Sequence, residues 1–231
     1  MSILLIETAT PICSIALENN GAIAIERHSD QPNAHSSKLA VFIDEILNNS
    51  DSVRKELEAV CVSSGPGSYT GLRIGVSSAK GLCYALGIPL ISVPTLQNMA
   101  SQYFEEHKDY QGLVCPMIDA RRMECYTAIY SREGVVKETT AEVIESGIYD
   151  KWLDTNTVTF VGDGAEKTKP LLSVHPNALY DSEFCISAAG MIKTAREKLA
   201  KGEVEDTAYF EPFYLKDFVA KKSEVHGLRR N

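Results

Sequence analysis

Three groups of residues in this chain could do chemistry by type and placement. Glu7 and Asp119 each follow an apolar run, Ile3–Ile6 and Leu113–Ile118. Carboxylates at strand ends that face a cleft can hold Mg²⁺ with its waters. The plainer role is a solvated strand end or a cap for the next turn, and the extra methylene of Glu7 favours that role there. Gly65-Pro66-Gly67-Ser68-Tyr69-Thr70-Gly71 follows the run Ala59–Ser63 and precedes a helical pattern. N–H groups and the positive dipole end at a helix start suit an anion. Gly65, Gly67 and Ser68, with Glu7, Thr8 and Asp119, are therefore the candidates for a vestigial phosphate or nucleotide site, and Ser68 or Thr70 could cap the helix. The stretch lacks the Gly-Lys-Ser/Thr of a P-loop. A strand-to-helix turn that needs glycine for its geometry is an equal reading.

The five histidines are His28, His35, His107, His175 and His226, and none pair as HxxxH or HExxH. A metal site with helical ligand spacing is not expected. A serine nucleophile elbow, GxSxG, is absent. No catalytic and no metal-ligating residue is assigned, and no cofactor is expected beyond weak or vestigial ATP and Mg²⁺ binding.

Strands and helices must position these groups. Ile3–Ile6 suits a strand covered on both faces. Cys13–Leu17 leads into Asn19-Asn20-Gly21, where the Asn-Gly step predicts a hairpin into Ala22–Glu26. Beyond Pro32, apolar residues at 39, 42, 43, 46 and 47 recur at helical spacing. Ala59–Ser63 and Leu90–Val93 read as strands and Leu72–Leu86 as a helix. Thr95 reads as the cap of a helix to about Glu106. In the second half, Leu113–Ile118, Cys125–Tyr130, Val135–Lys137 and Val158–Val161 read as strands. Arg132-Glu133-Gly134 marks a hairpin, and Gly162-Asp163-Gly164 ends the last of these strands. Ser187–Lys201 reads as a helix capped by Ser187 and stopped by Gly202.

The halves resemble each other. A shift of 112 lays Ile6-Glu7 on Ile118-Asp119, Cys13 on Cys125, Ala16 on Ala128 and Leu17 on Ile129. An ordered series of this kind implies a duplicated α/β unit. The expected fold is two-lobed, with mixed sheets flanked by helices. Residues 1–107 form the N-terminal lobe, and residues 108–231 form the C-terminal lobe with a short basic tail. Two such units facing each other describe the actin and sugar-kinase architecture (ASKHA, ribonuclease H-like), whose cleft holds a nucleotide and its metal.

Composition narrows the function. The formal net charge is −8, which makes the chain a poor general binder of phosphate backbones. If RNA is the substrate, another subunit supplies most of the basic surface. No apolar run approaches the ~20 residues of a membrane span. Met1–Glu7 lacks a basic segment and reads as a first strand rather than a signal peptide. Six cysteines without CxxC spacing, mostly within apolar runs, predict free buried thiols in a reducing cytoplasm. From Pro212 onward, Lys216, Lys221, Lys222, Arg229 and Arg230 outnumber Asp217 and Glu224. A basic tail fits this, and contact with a phosphate or an acidic partner is an alternative.

Several segments together resemble the TsaB (YeaZ) family. Ser64-Gly65-Pro66-Gly67-Ser68-Tyr69-Thr70-Gly71-Leu72-Arg73-Ile74-Gly75 is similar to its signature. Ile6-Glu7-Thr8-Ala9-Thr10 resembles its opening strand, and Pro94-Thr95-Leu96 with Met99-Ala100 its next helix start. Ile118–Tyr126 resembles a further block, with Cys125 where Val is usual. Glu211–Lys216 resembles a late one, with Lys216 for Arg. The resemblance implies an actin-like fold and a non-catalytic accessory subunit. Its partner would be TsaD, the catalytic paralogue, which carries a metal-binding HxxxH that this chain lacks. TsaE, an ATPase, would join them, and TsaC would supply threonylcarbamoyl-adenylate. TsaD would transfer the threonylcarbamoyl group to N6 of adenosine 37 in tRNAs reading ANN codons, with tRNA held mainly by the complex. The TsaD contact maps to first-lobe helices at about 36–48 and 71–86, and a free homodimer would use the same face. On these helices Leu39, Phe42, Ile43, Leu72, Val76, Ala79 and Lys80 are the expected interface residues. Small residues at 75, 77, 78 and 81 would let a partner helix approach. The rival reading is a stand-alone actin-like ATPase or kinase. An older glycoprotease label for the superfamily lacks its metal histidines here.

Overall fold

The computed structural model describes residues 2–48 and 56–216. Its first half forms strands β1 (Ser2–Glu7), β2 (Cys13–Asn19), β3 (Ala22–Ser29), β4 (Leu57–Ser63) and β5 (Leu90–Val93). Its second half forms β6 (Leu113–Asp119), β7 (Glu124–Ser131), β8 (Gly134–Val143), β9 (Val158–Val161) and β10 (Ala178–Asp181). The longer helices are α1 (Ala34–Leu47), α2 (Tyr69–Leu86), α3 (Thr95–Glu106) and α4 (Ile192–Lys201). The two sheets have one topology, β3-β2-β1-β4-β5 and β8-β7-β6-β9-β10, antiparallel in the hairpin half and parallel beyond the central strand. The duplication expected from the sequence is thus a repeated sheet.

Strand alternation sorts the core into layers. On β1, Leu4 and Ile6 face α1 and α2, packing with Leu39, Ile46, Val76, Ala79 and Cys83. Ile3 and Leu5 face the other way, onto Ala188, Met191 and Ala195 of the last helical segment. In the second sheet, Val114 and Ile118 pack on Leu96, Met99, Tyr103 and Phe104 of α3. Cys115 and Met117 face Tyr149, Leu153 and Leu172 from short helical turns. The helices therefore cross over. α3 follows the first sheet in sequence but covers the second, and α4 follows the second but covers the first.

Polar contacts pin this exchange. Arg196 of α4 grips the fully buried Glu18 of β2 through both carboxylate oxygens at 2.6 and 2.8 Å. Ser187 Oγ donates to Glu26 of β3 at 2.5 Å, and Ala188 N donates to Ser14 Oγ at 3.0 Å. The stretch 107–112 has no regular structure, but Arg132 on the β7–β8 turn donates to the carbonyls of His107, Lys108 and Tyr110. Asn20 and Gly21 make the first hairpin with φ of 50° and 88°. Ser187 caps as expected, though a 3₁₀ turn (Ala188–Met191) precedes α4, and Gly202 ends that helix at φ 71°. Thr95 does not cap α3. Pro94 occupies that position, and the buried Thr95 hydroxyl has no hydrogen-bond partner among the described residues.

Candidate functional site

Glu7 closes β1 on the face of Ile3 and Leu5, so its side chain enters the seam between the lobes. It is fully buried, and three donors satisfy it: Ala9 N (2.8 Å), Ser63 Oγ (2.9 Å) and Asn98 Nδ2 (2.7 Å). Asn98 also donates to Ser187 O at 3.1 Å and so ties α3 to the last helical segment. Burial raises the Glu7 carboxyl against the pull of these donors. Its carboxylate is a knot in the seam rather than a metal perch over a cleft.

Asp119 has a different setting. It shares the face of Cys115 and Met117, turned away from α3. The 112-residue overlay equates the strands but places these two acids on non-equivalent faces. Lys167 Nζ pairs with Asp119, and Arg121 N donates to it at 2.8 Å. Partial burial works to raise its carboxyl, but the Lys167 ammonium and the Arg121 N–H outweigh it and hold it below the usual value.

The glycine loop is packed by the chain itself. A Cβ on Gly67 would lie 2.3 Å from Ala9 O, and on Gly71 2.1 Å from Thr8 O. Ser68 N donates to Ala9 O at 2.6 Å, and Ser68 Oγ accepts from Gly71 N at 3.2 Å as the cap of α2. Thr8 is buried and its hydroxyl sits over Gly75. Beside Gly65, Phe213 N donates to Ser64 O at 2.7 Å, so the C-terminal segment covers the loop. Close approach of two backbone segments accounts for these glycines.

The inter-lobe cavity, about 630 Å³, lies between Thr10–Ile12 and the second-half segments 162–169 and 180–186. Its charged wall comprises Asp163, Glu166, Asp181, Glu183 and Lys169, and Lys169 pairs with Glu166 at 2.7 Å. A wall with this excess of carboxylates opposes polyphosphate. Among the described residues no group of three or more His, Cys, Asp or Glu could hold a metal ion. No described helix is long and apolar enough to cross a membrane.

The expected interface residues divide. Leu39 (1% exposed), Val76 (4%) and Ala79 (0%) are interior, packed on the first sheet, and Leu72 (1%) is interior beside Gly65. Spacings of three and four residues put 72, 76, 79 and 83 on one face of α2, and that apolar face is buried first. A charge at Val76 would therefore test folding rather than docking. Phe42 and Ile43 are half-buried against the same core. The Lys80 ammonium is held by Ala208 O and Phe210 O at 3.0 and 2.9 Å. The outward face of α2 carries Arg73, Ser77, Gly81, Ala85 and Tyr84, the last 88% exposed. Beside it, α1 exposes Ala40, Val41 and Asp44. The basic-tail residues from 217 onward lie outside the described residues; Lys216 pairs with Glu124.

Comparison with known proteins gives these features a family. The chain is 34% identical to the tRNA threonylcarbamoyladenosine biosynthesis protein TsaB of Escherichia coli K12 over 230 residues, 96% of this chain and 97% of that protein. It is 30% identical to the Bacillus subtilis protein of the same name, over 85% of this chain and 82% of that one. The family described as TsaD, tRNA N6-adenosine threonylcarbamoyltransferase, matches residues 29–223. The solved structure of YeaZ from Pseudomonas aeruginosa shares the fold at TM-score 0.78 and 24% identity, covering 93% of this chain and 99% of that one. Fold and seam define a two-lobed protein of actin-like (ASKHA, ribonuclease H-like) fold. Within that class the chain belongs to the TsaB (YeaZ) family.

Proposed function

We propose that this chain is a non-catalytic scaffold subunit of the complex that makes threonylcarbamoyladenosine in tRNA. It binds a TsaD-type catalytic subunit through α1 and α2, and a TsaE-type ATPase joins that pair. The observation that carries this reading is the internal use of the two strand-end acids and the close packing of the glycine loop. Glu7 is buried under three donors, Asp119 is paired with Lys167, and the glycine loop is closed on Thr8 and Ala9. The relatives' names supply the pathway. The outward strip of α2, small at Ser77 and Gly81 and aromatic at Tyr84, would let a partner helix pack closely. Without a partner, the same strip would join two copies of the chain.

The test is association of the full chain with a TsaD-type subunit by size exclusion. Ser77→Glu and Tyr84→Asp should abolish it while leaving the melting midpoint within a degree or so, since both are surface changes. Undiminished association of both variants contradicts the docking face.

A further inference from the structure

The loop between β6 and β7 turns the chain through two consecutive left-handed residues, Arg121 at φ 73° and Arg122 at φ 52°. Left-handed backbone favours Gly and Asn, because a side chain crowds the following carbonyl at positive φ. The shorter, two-residue β2–β3 hairpin of the same chain places Asn20 and Gly21 at its left-handed positions. Here Ala120 N donates to Glu124 O at 3.0 Å, Glu124 N to Arg121 O at 3.1 Å, and Arg121 N to Asp119 at 2.8 Å. The turn is thus firmly closed around two residues poorly suited to it. Residues kept in disfavoured backbone conformations concentrate where their side chains have work to do.

Both arginine side chains are exposed, and within the described residues neither guanidinium has a hydrogen-bond or ion-pair partner. The flanking carboxylates are already matched, Asp119 by Lys167 and Glu124 by Lys216. Arg121 also adds to the positive field on Asp119, and Asp163 accepts from Asp119 N at 3.2 Å, so against these three acids the four cations leave a surplus of one positive charge, at an exposed tip, on a chain of net charge −8. Neither arginine lines the acid-walled cavity between the lobes, so they do not serve a small anion held there. A planar guanidinium matches phosphate oxygens in geometry and charge.

Resting on the reading of this chain as a subunit in tRNA modification, we propose that Arg121 and Arg122 contact the phosphate backbone of the RNA. Such a contact positions the substrate without reading its sequence. On an otherwise acidic chain it supplies the local positive charge that RNA needs to lie against this subunit at all.

The test is Arg121→Asn combined with Arg122→Gly in the full chain, which installs the residues such a turn favours. The melting midpoint should rise by about 2–4 °C; a fall would contradict the strain from which the proposal starts. In complex with a TsaD-type subunit, affinity for an unmodified tRNA transcript should drop roughly ten-fold, and the slope of log affinity against log salt should shrink by about 1–2. The double change to Lys should keep most of that slope. Unchanged affinity and slope in the Asn-Gly variant overturn the proposal. So does weaker subunit association with tRNA binding intact, which assigns the arginines to an acidic protein surface. If the wild-type chain fails to join a TsaD-type subunit, the proposed function falls instead. The same titration on the chain alone then decides for the arginines, and absent or unaltered RNA binding there counts against them.

Discussion

Glu7 and Asn98 make one unit at the residue scale. The carboxylate is enclosed, and its Oε2 accepts from Asn98 Nδ2 at 2.7 Å. Asn98→Ala would strip that donor and leave Ser187 O without it, a loss of about 2–3 kcal/mol for buried polar groups. The loss should depend on pH. Burial raises the Glu7 carboxyl, so the stability linked to it is full at low pH and lost as pH climbs through the folded-state value. The Asn98 donor opposes that rise. Without it the folded value moves further up, and urea melts should give a larger deficit at mildly alkaline than at mildly acidic pH. Equal deficits would mean that the carboxylate does not need this donor. The sequence placed Glu7 at a strand end and favoured a structural role there. It could not give the partners, because Ser63, Asn98 and Ser187 are brought to Glu7 by the tertiary fold across wide sequence separations.

At the element scale, α2 has one face for the sheet and one for solvent. Its glycines report which is which. Gly71→Ala places a Cβ 2.1 Å from Thr8 O and should cost about 2–4 kcal/mol, since backbone cannot yield as a flexible side chain does. Among the described residues nothing lies within 4 Å of a Cβ added at Gly81, and in a helix interior Gly81→Ala should stabilise by about 0.5–1 kcal/mol. Thermal melts of both check the pair, and similar effects would contradict the assignment of faces. Strand and helix patterns were legible because periods of two and 3.6 survive in sequence. Which face of α2 turns outward was not: spacing groups 72, 76 and 79 together but does not say what covers them. The four-residue β10 was also missed: β5 and β9 are as short but are fully buried, largely apolar runs, whereas Ala178–Asp181 is half-exposed and ends in Asp.

The whole molecule is a doubled sheet held by exchanged helices. The doubling was visible as an ordered series of matches between the halves. The exchange was not, because it rests on contacts such as Arg196 to Glu18 and Ala188 to Ser14, which no local pattern encodes. The acid-walled cavity and the internally used strand-end acids lead to a prediction at this scale. Calorimetry of the isolated full chain with ATP and Mg²⁺ should give no saturable heat at micromolar protein and no turnover. Tight binding with hydrolysis would favour the stand-alone ATPase reading.

The most direct measurement is reconstituted threonylcarbamoyladenosine formation on an unmodified tRNA with the TsaD-, TsaE- and TsaC-type proteins. Three reactions are compared: with this chain, without it, and with Asp119→Asn in its place. Modification should require the chain and proceed undiminished with Asp119→Asn, since that carboxylate serves Lys167 rather than a reacting metal. Equal yield without the chain, or loss of product from Asp119→Asn in a chain that still folds and associates, would contradict the scaffold account.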